Sequence, residues 1–84
     1  MAHITRTRQI LANNIVYWRI KRNWSQEEFA DKLDSSTQYV SAMENAKRNI
    51  SSDYIDHLAI VLGIEPHELL IDRPIVENRR IDRQ

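Results

Sequence analysis

The stretch Ser25–Asn45, SQEEFADKLDSSTQYVSAMEN, decides the fold. It reads as two short helices joined by a tight turn. Ser25 is a helix-starting residue, and Glu28 three positions on completes a capping box with it. Phe29, Ala30 and Leu33 then lie on one apolar stripe of a short helix. Asp34-Ser35-Ser36 breaks that pattern. Ser36 can cap a second helix, in which Val40 and Met43 face inward at i, i+3. The opposite face carries Thr37, Gln38, Ser41, Ala42 and Asn45, which are small or amide-bearing and uncharged. An ordinary solvated helix would carry more Lys and Glu there. Amide side chains pair bidentately with adenine edges, and hydroxyls hydrogen-bond either way, so this outer face suits the floor of a DNA major groove.

Outward from this pair, the flanks also read as helices. Thr5 or Thr7 can cap a first helix from about Arg6 to Arg22, with Leu11, Ile15 and Trp18 as its inner stripe. Val16 and Ile20 lie on another side, either against a neighbour or exposed. Trp24, just before the Ser25 cap, is placed to staple onto Phe29. Both tryptophans therefore read as core rather than as stacking platforms for a ligand. After Asn45, the loop Ala46-Lys47-Arg48-Asn49-Ile50 carries two cations and an amide. Ser51 caps a further helix, Ser52 to Leu62, with Ile55, Leu58, Ala59 and Leu62 inward and Gly63 as its left-handed stop. Pro66 is suited to the first position of a short fifth helix reaching about Ile71. Leu69, Leu70 and Ile71 are three adjacent apolar residues that cannot all face one small core, so one side is expected to meet a second copy of the chain. From Asp72 the pattern dissolves. DRPIVENRRIDRQ reads as a disordered tail or as an extended arm in which Ile75 and Val76 add to a dimer contact.

Eighty-four residues make one domain with a modest core, here about residues 6–71 between a short N-terminal arm and the tail 72–84. One glycine, two prolines and 42% hydrophobic residues make a helical composition, so the expected class is all-α. There is no cysteine, hence no disulfide or thiolate metal site. His3, His57 and His67 have neither i, i+4 partners nor Cys companions, so no metal is expected. No nucleophile motif or Gly-rich phosphate loop is present, and an enzyme and a cofactor are not expected. No apolar run approaches a membrane span and there is no signal-peptide core, which fits a cytoplasmic protein. Net charge is zero. Its distribution is uneven, with Arg6, Arg8, Arg19, Lys21 and Arg22 and no acid in residues 1–24, but Glu27, Glu28, Asp31 and Asp34 against Lys32 in 25–35. Local contacts govern phosphate attraction, so a neutral chain can still present a basic edge.

The run from Trp24 to Leu70, WSQEEFADKLDSSTQYVSAMENAKRNISSDYIDHLAIVLGIEPHELL, resembles the lambda-repressor/Cro-like helix-turn-helix family of phage and bacterial transcription regulators. The order is the family's: a TQEELA-like helix, a turn, an S-x-x-x-[IV]-s-x-[IL]-E helix, a basic loop and a final LAxxLG helix. The resemblance covers about Leu11 to Leu70 and implies a five-helix, lambda-repressor-like domain that binds double-stranded DNA, usually as a dimer. Carried over residue by residue, it implies base-facing positions at Ser36, Thr37, Gln38, Ser41 and Ala42. It implies backbone-facing positions at Gln26, Asn45, Lys47 and Arg48, with Gln26 also bracing the next helix, and an inward pair of Arg19 and Glu44. Two departures stand out. The family commonly has Gly where this chain has Asp34 and again where it has Ala46, and Ala takes a left-handed conformation poorly.

The expected function is a sequence-specific transcription regulator, a repressor or autoregulator binding a palindromic operator as a homodimer, in the manner of small phage-type or restriction–modification controller proteins. The alternative is an antitoxin-like protein-binding module on the same fold, with Leu69, Leu70, Ile71 and the tail carrying that role. The residues do not specify the operator, the regulated genes, activation against repression, or any protein partner.

Overall fold

The computed structural model describes residues 5–73. It contains four α-helices, α1 (Arg6–Lys21), α2 (Gln26–Leu33), α3 (Thr37–Glu44) and α4 (Ser52–Leu62), followed by a 3₁₀ helix, Pro66–Leu69. Among the described residues there is no strand, so the class is all-α. Residues 1–4 of the arm, and the tail from Pro74 with Ile75 and Val76, lie outside the described residues.

Each α-helix starts where a hydroxyl takes up an orphan backbone N–H. Thr5 accepts from Arg8 (3.1 Å), Ser25 from Glu28 (3.0 Å), Ser36 from Tyr39 (3.1 Å) and Ser51 from Tyr54 (3.1 Å). The Ser25 N–H donates back to the Glu28 carboxylate at 2.7 Å, closing the capping box. Trp24 stacks on Phe29 with ring centroids 5.8 Å apart, the staple expected from their spacing. Asp34 (φ 57°) ends α2 and Gly63 (φ 74°) ends α4, both left-handed. Ala46 is left-handed as well (φ 59°) and buried. It adopts the conformation for which the family uses glycine, at a steric cost of about 1–2 kcal/mol.

The core gathers Leu11 and Ile15 of α1, Phe29, Ala30 and Leu33 of α2, Val40 and Met43 of α3, Leu58, Ala59 and Leu62 of α4, and Leu69. The helix α1 is more enclosed than a single stripe allows. Residues 11–16 are all buried, including Val16, while Trp18 and Ile20 are half-buried. It packs against both α3 and the 3₁₀ helix, which cover it from different directions.

The C-terminal end departs most from expectation. The fifth helix is a single 3₁₀ turn rather than an α-helix to Ile71. Asn14, fully buried on α1, ties this end down. Its amide nitrogen donates to the carbonyls of Leu69 (3.0 Å) and Ile71 (2.7 Å). The Asn14 amide oxygen accepts from Arg73 Nε (2.6 Å), and the Arg73 guanidinium lies over the Tyr17 ring at 4.3 Å. Arg6 pairs with Asp72 at 2.6 Å. Residues 70–73 therefore form a strap docked along α1, and it includes Asp72 and Arg73 of the expected tail. Leu69 is fully buried in its own chain, which corrects its assignment to a dimer surface; Leu70 and Ile71 remain exposed.

Candidate nucleic-acid interface

The outer face of α3 and the residues around it form one shallow groove lined by Gln26, Thr37, Gln38, Ser41, Ala42, Asn45 and Lys47. Thr37 and Gln38 stand exposed in the first turn of α3, and Ser41 and Ala42 follow one turn later, half-buried. Ser36 is the cap itself, its hydroxyl taken by the Tyr39 N–H, so its base-facing assignment is secondary to a structural one. Asn45 Nδ2 donates to the Ser41 carbonyl at 2.8 Å, closing the C-terminal end of α3. The eight residues of α3 span about 12 Å, close to the width of the B-DNA major groove. Its one charged residue, Glu44, points away from that face and is buried, so α3 presents no carboxylate to a phosphate.

The Arg19–Glu44 pair fixes how α3 is presented. Both side chains are almost fully buried. Arg19 Nε donates to Glu44 Oε2 at 2.6 Å and Arg19 Nη2 to Oε1 at 3.1 Å, a bidentate fork. Gln26 Nε2 donates to the same Oε1 at 2.9 Å, and Arg19 Nη1 donates to the Trp24 carbonyl at 2.9 Å. One carboxylate thus joins α1, α2 and α3. Gln26 lines the groove while bracing Glu44, the bracing its motif position implies.

Lys47 and Arg48 are exposed after α3. Lys47 borders the groove, whereas the Arg48 guanidinium lies over the face of Tyr39, 4.7 Å from its centroid. Tyr39 in turn meets Tyr54 edge-on, with centroids 5.6 Å apart. Burial raises the Tyr54 phenol above 10.0, the neighbouring Tyr39 adds to the rise, and a hydrogen bond from Ser35 works against it. Tyr54 is therefore neutral at physiological pH and adds no negative charge beside Tyr39. Sequence reasoning passes over Tyr39, because nothing in local spacing pairs a tyrosine with an arginine nine positions later across a turn. The expected base-facing residues other than Ser36 and the backbone-facing Gln26, Asn45 and Lys47 fall in one groove; Leu70 and Ile71 stand elsewhere.

Residues 15–69 match the helix-turn-helix family. A hypothetical transcription factor of Neisseria meningitidis serogroup B is 38% identical over 64 residues, covering 76% of this chain and 60% of that protein. Control protein C.BamHI of Bacillus amyloliquefaciens is 40% identical over 50 residues, covering 60% of this chain and 62% of its own. The matched stretch thus spans about three fifths of the length of these two relatives. Among solved structures, the Neisseria hypothetical transcription factor NHTF superposes with a TM-score of 0.75 at 33% identity, covering 86% of each chain. The restriction-modification controller protein C.AhdI of Aeromonas hydrophila gives 0.69 at 32% identity, covering 74% of this chain and 90% of that one. By its four helices, its capped α2–turn–α3 pair and the span that matches, the chain belongs to the Cro/C1-type helix-turn-helix family of DNA-binding transcription regulators.

Proposed function

We propose that the chain binds a palindromic operator as a homodimer, one α3 per major-groove half-site, and acts as a repressor or autoregulator. The observation that carries this reading is the uncharged groove of Thr37, Gln38, Ser41, Ala42 and Asn45, bordered by Gln26 and Lys47. Thr37 and Gln38 supply hydrogen bonds to base edges, and Ala42 offers a methyl group to a thymine methyl. Gln26, Asn45, Lys47 and Arg48 take the phosphates, which position the helix without reading sequence. The relatives, a transcription factor and restriction-modification controllers, support regulation of transcription. No described helix is long and apolar enough to cross a membrane.

Binding titrations over a salt series, on operator and scrambled DNA, separate base reading from phosphate binding. Arg48→Ala is expected to weaken binding to both DNAs. One fewer phosphate is then neutralised in each half-site, and the slope of log K against log salt should fall in magnitude by about two units for the dimer. Gln38→Ala is expected to leave that slope in place and remove about 1–3 kcal/mol of discrimination at one position per half-site. If neither substitution changes binding, the helix pair serves as a scaffold, and the antitoxin-like reading takes its place.

Self-association is assigned to the exposed apolar surface of Leu70 and Ile71. Two-fold dimers are the commonest assemblies, and each copy would bury the same patch. Sedimentation at tens of micromolar should give two chains per particle, and Leu70→Asp should shift the protein to one. A parent that sediments as a monomer with and without DNA would remove the dimer from the proposal.

A further inference from the structure

We propose that Tyr39 is the positioning residue for Arg48, holding its guanidinium over the ring and ready for a DNA phosphate. This rests on reading Arg48 as a phosphate contact. Arg48 is exposed on a loop and has no ion pair or hydrogen bond among the described residues; the Tyr39 ring, 4.7 Å away, is its one described partner. An exposed arginine otherwise samples many rotamers, and that freedom disappears when it grips a phosphate. Stacking removes part of that entropy beforehand. A guanidinium has five N–H donors, and no described hydrogen bond takes one of Arg48's.

The ring is itself fixed. Tyr39 sits on the helix that enters the groove, one residue after Gln38 and next to buried Val40. Tyr54 of α4 meets it edge-on, and Tyr54 in turn lies 5.3 Å from His57, whose Nε2 is 3.3 Å from the Leu33 carbonyl. The aromatic run from α3 to α4 gives the loop cation a rigid backing. It also couples the two duties of the interface. The helix that carries Gln38 to the bases also carries the ring that aims Arg48 at the backbone, so register on the bases and register on the phosphates are set by one element.

The test is a double-mutant cycle with the full chain. It uses a duplex bearing the sequence the chain enriches from a random pool and a scrambled duplex of equal length. Tyr39→Leu is expected to weaken binding to both duplexes by about two- to fivefold per half-site, leaving the base preference unchanged. Tyr39→Phe, which keeps the ring face, should bind as the parent does. In an Arg48→Ala background, Tyr39→Leu should add nothing. A role in packing alone would not vanish in that background. In the free protein, the Arg48 Hδ resonances should be shifted upfield by the ring and return to unshifted positions in Tyr39→Leu. Should Tyr39→Leu fail to fold, the parent's own Arg48 Hδ resonances decide; upfield-shifted lines are expected, and unshifted lines would overturn the inference. A parent that binds neither duplex overturns the nucleic-acid reading and this inference with it. A parent that binds, with independent effects of Tyr39→Leu and Arg48→Ala or with unshifted Arg48 resonances, overturns this inference alone.

Discussion

Glu44→Ala is expected to lose about 3–5 kcal/mol of folding stability, because it strands a buried guanidinium. Arg19 is about 1% exposed and makes two of its hydrogen bonds to Glu44. Without the carboxylate those donors face a core that offers no replacement charge, and Gln26 loses its acceptor as well. Small domains have a total stability of about 5–15 kcal/mol, so a loss of this size is a large share of it and should lower the denaturation midpoint well below the parent's. The loss should persist at high salt, since a buried pair is screened far less than a surface one. Glu44→Gln keeps an amide oxygen for Arg19 and Gln26 and should fall between the two. Urea denaturation followed by tryptophan fluorescence reads all three. A Glu44→Ala midpoint equal to the parent's would mean that the carboxylate is not the joint between α1, α2 and α3.

Leu69→Ala should be nearly as damaging, at about 2–5 kcal/mol. Leu69 closes the core from the 3₁₀ turn and has no exposed surface. Its truncation leaves a cavity bounded by elements that cannot collapse freely. The backbone around it is pinned by Trp18 through the Glu68 carbonyl and by Asn14 through the Leu69 and Ile71 carbonyls. Leu70→Ala, one residue on and 45% exposed, should leave the denaturation midpoint of the single chain within about 0.5 kcal/mol of the parent. Its effect should appear in self-association instead. Measured at one fixed concentration, equal destabilisation by the two substitutions would contradict the separation of a core leucine from a surface one.

Local chemistry makes most of the fold legible. Thr5, Ser25, Ser36 and Ser51 announce helix starts because a hydroxyl beside an apolar periodicity has one main use there. Gly63 announces a stop for a comparable reason. The Trp24–Phe29 staple follows from a spacing of five. The groove follows from the lack of charge on one face of a short helix, and the Arg19–Glu44 pair comes only through family resemblance. What escapes depends on partners far along the chain. Nothing local marks Asn14 as buried, yet it is, and two of its acceptors lie 55 and 57 positions away. The strap at Asp72 and Arg73 carries mixed charges and no periodicity, so nothing local marks it as docked. Val16 looks optional because a stripe pattern assumes one covered face, whereas α1 is covered from two sides. Ala46 reads as an awkward residue at a glycine-favouring position, and the chain accepts the left-handed conformation there.

The central claim is that the outer face of α3 reads bases, and sequence selection from a random duplex pool tests it most directly. The parent and Gln38→Ala should be run side by side at one salt concentration. The parent is predicted to enrich an inverted repeat, and Gln38→Ala to enrich the same repeat with preference abolished at one symmetric position in each half. A parent that enriches no motif, or a Gln38→Ala variant that enriches the parental motif unchanged, would contradict it.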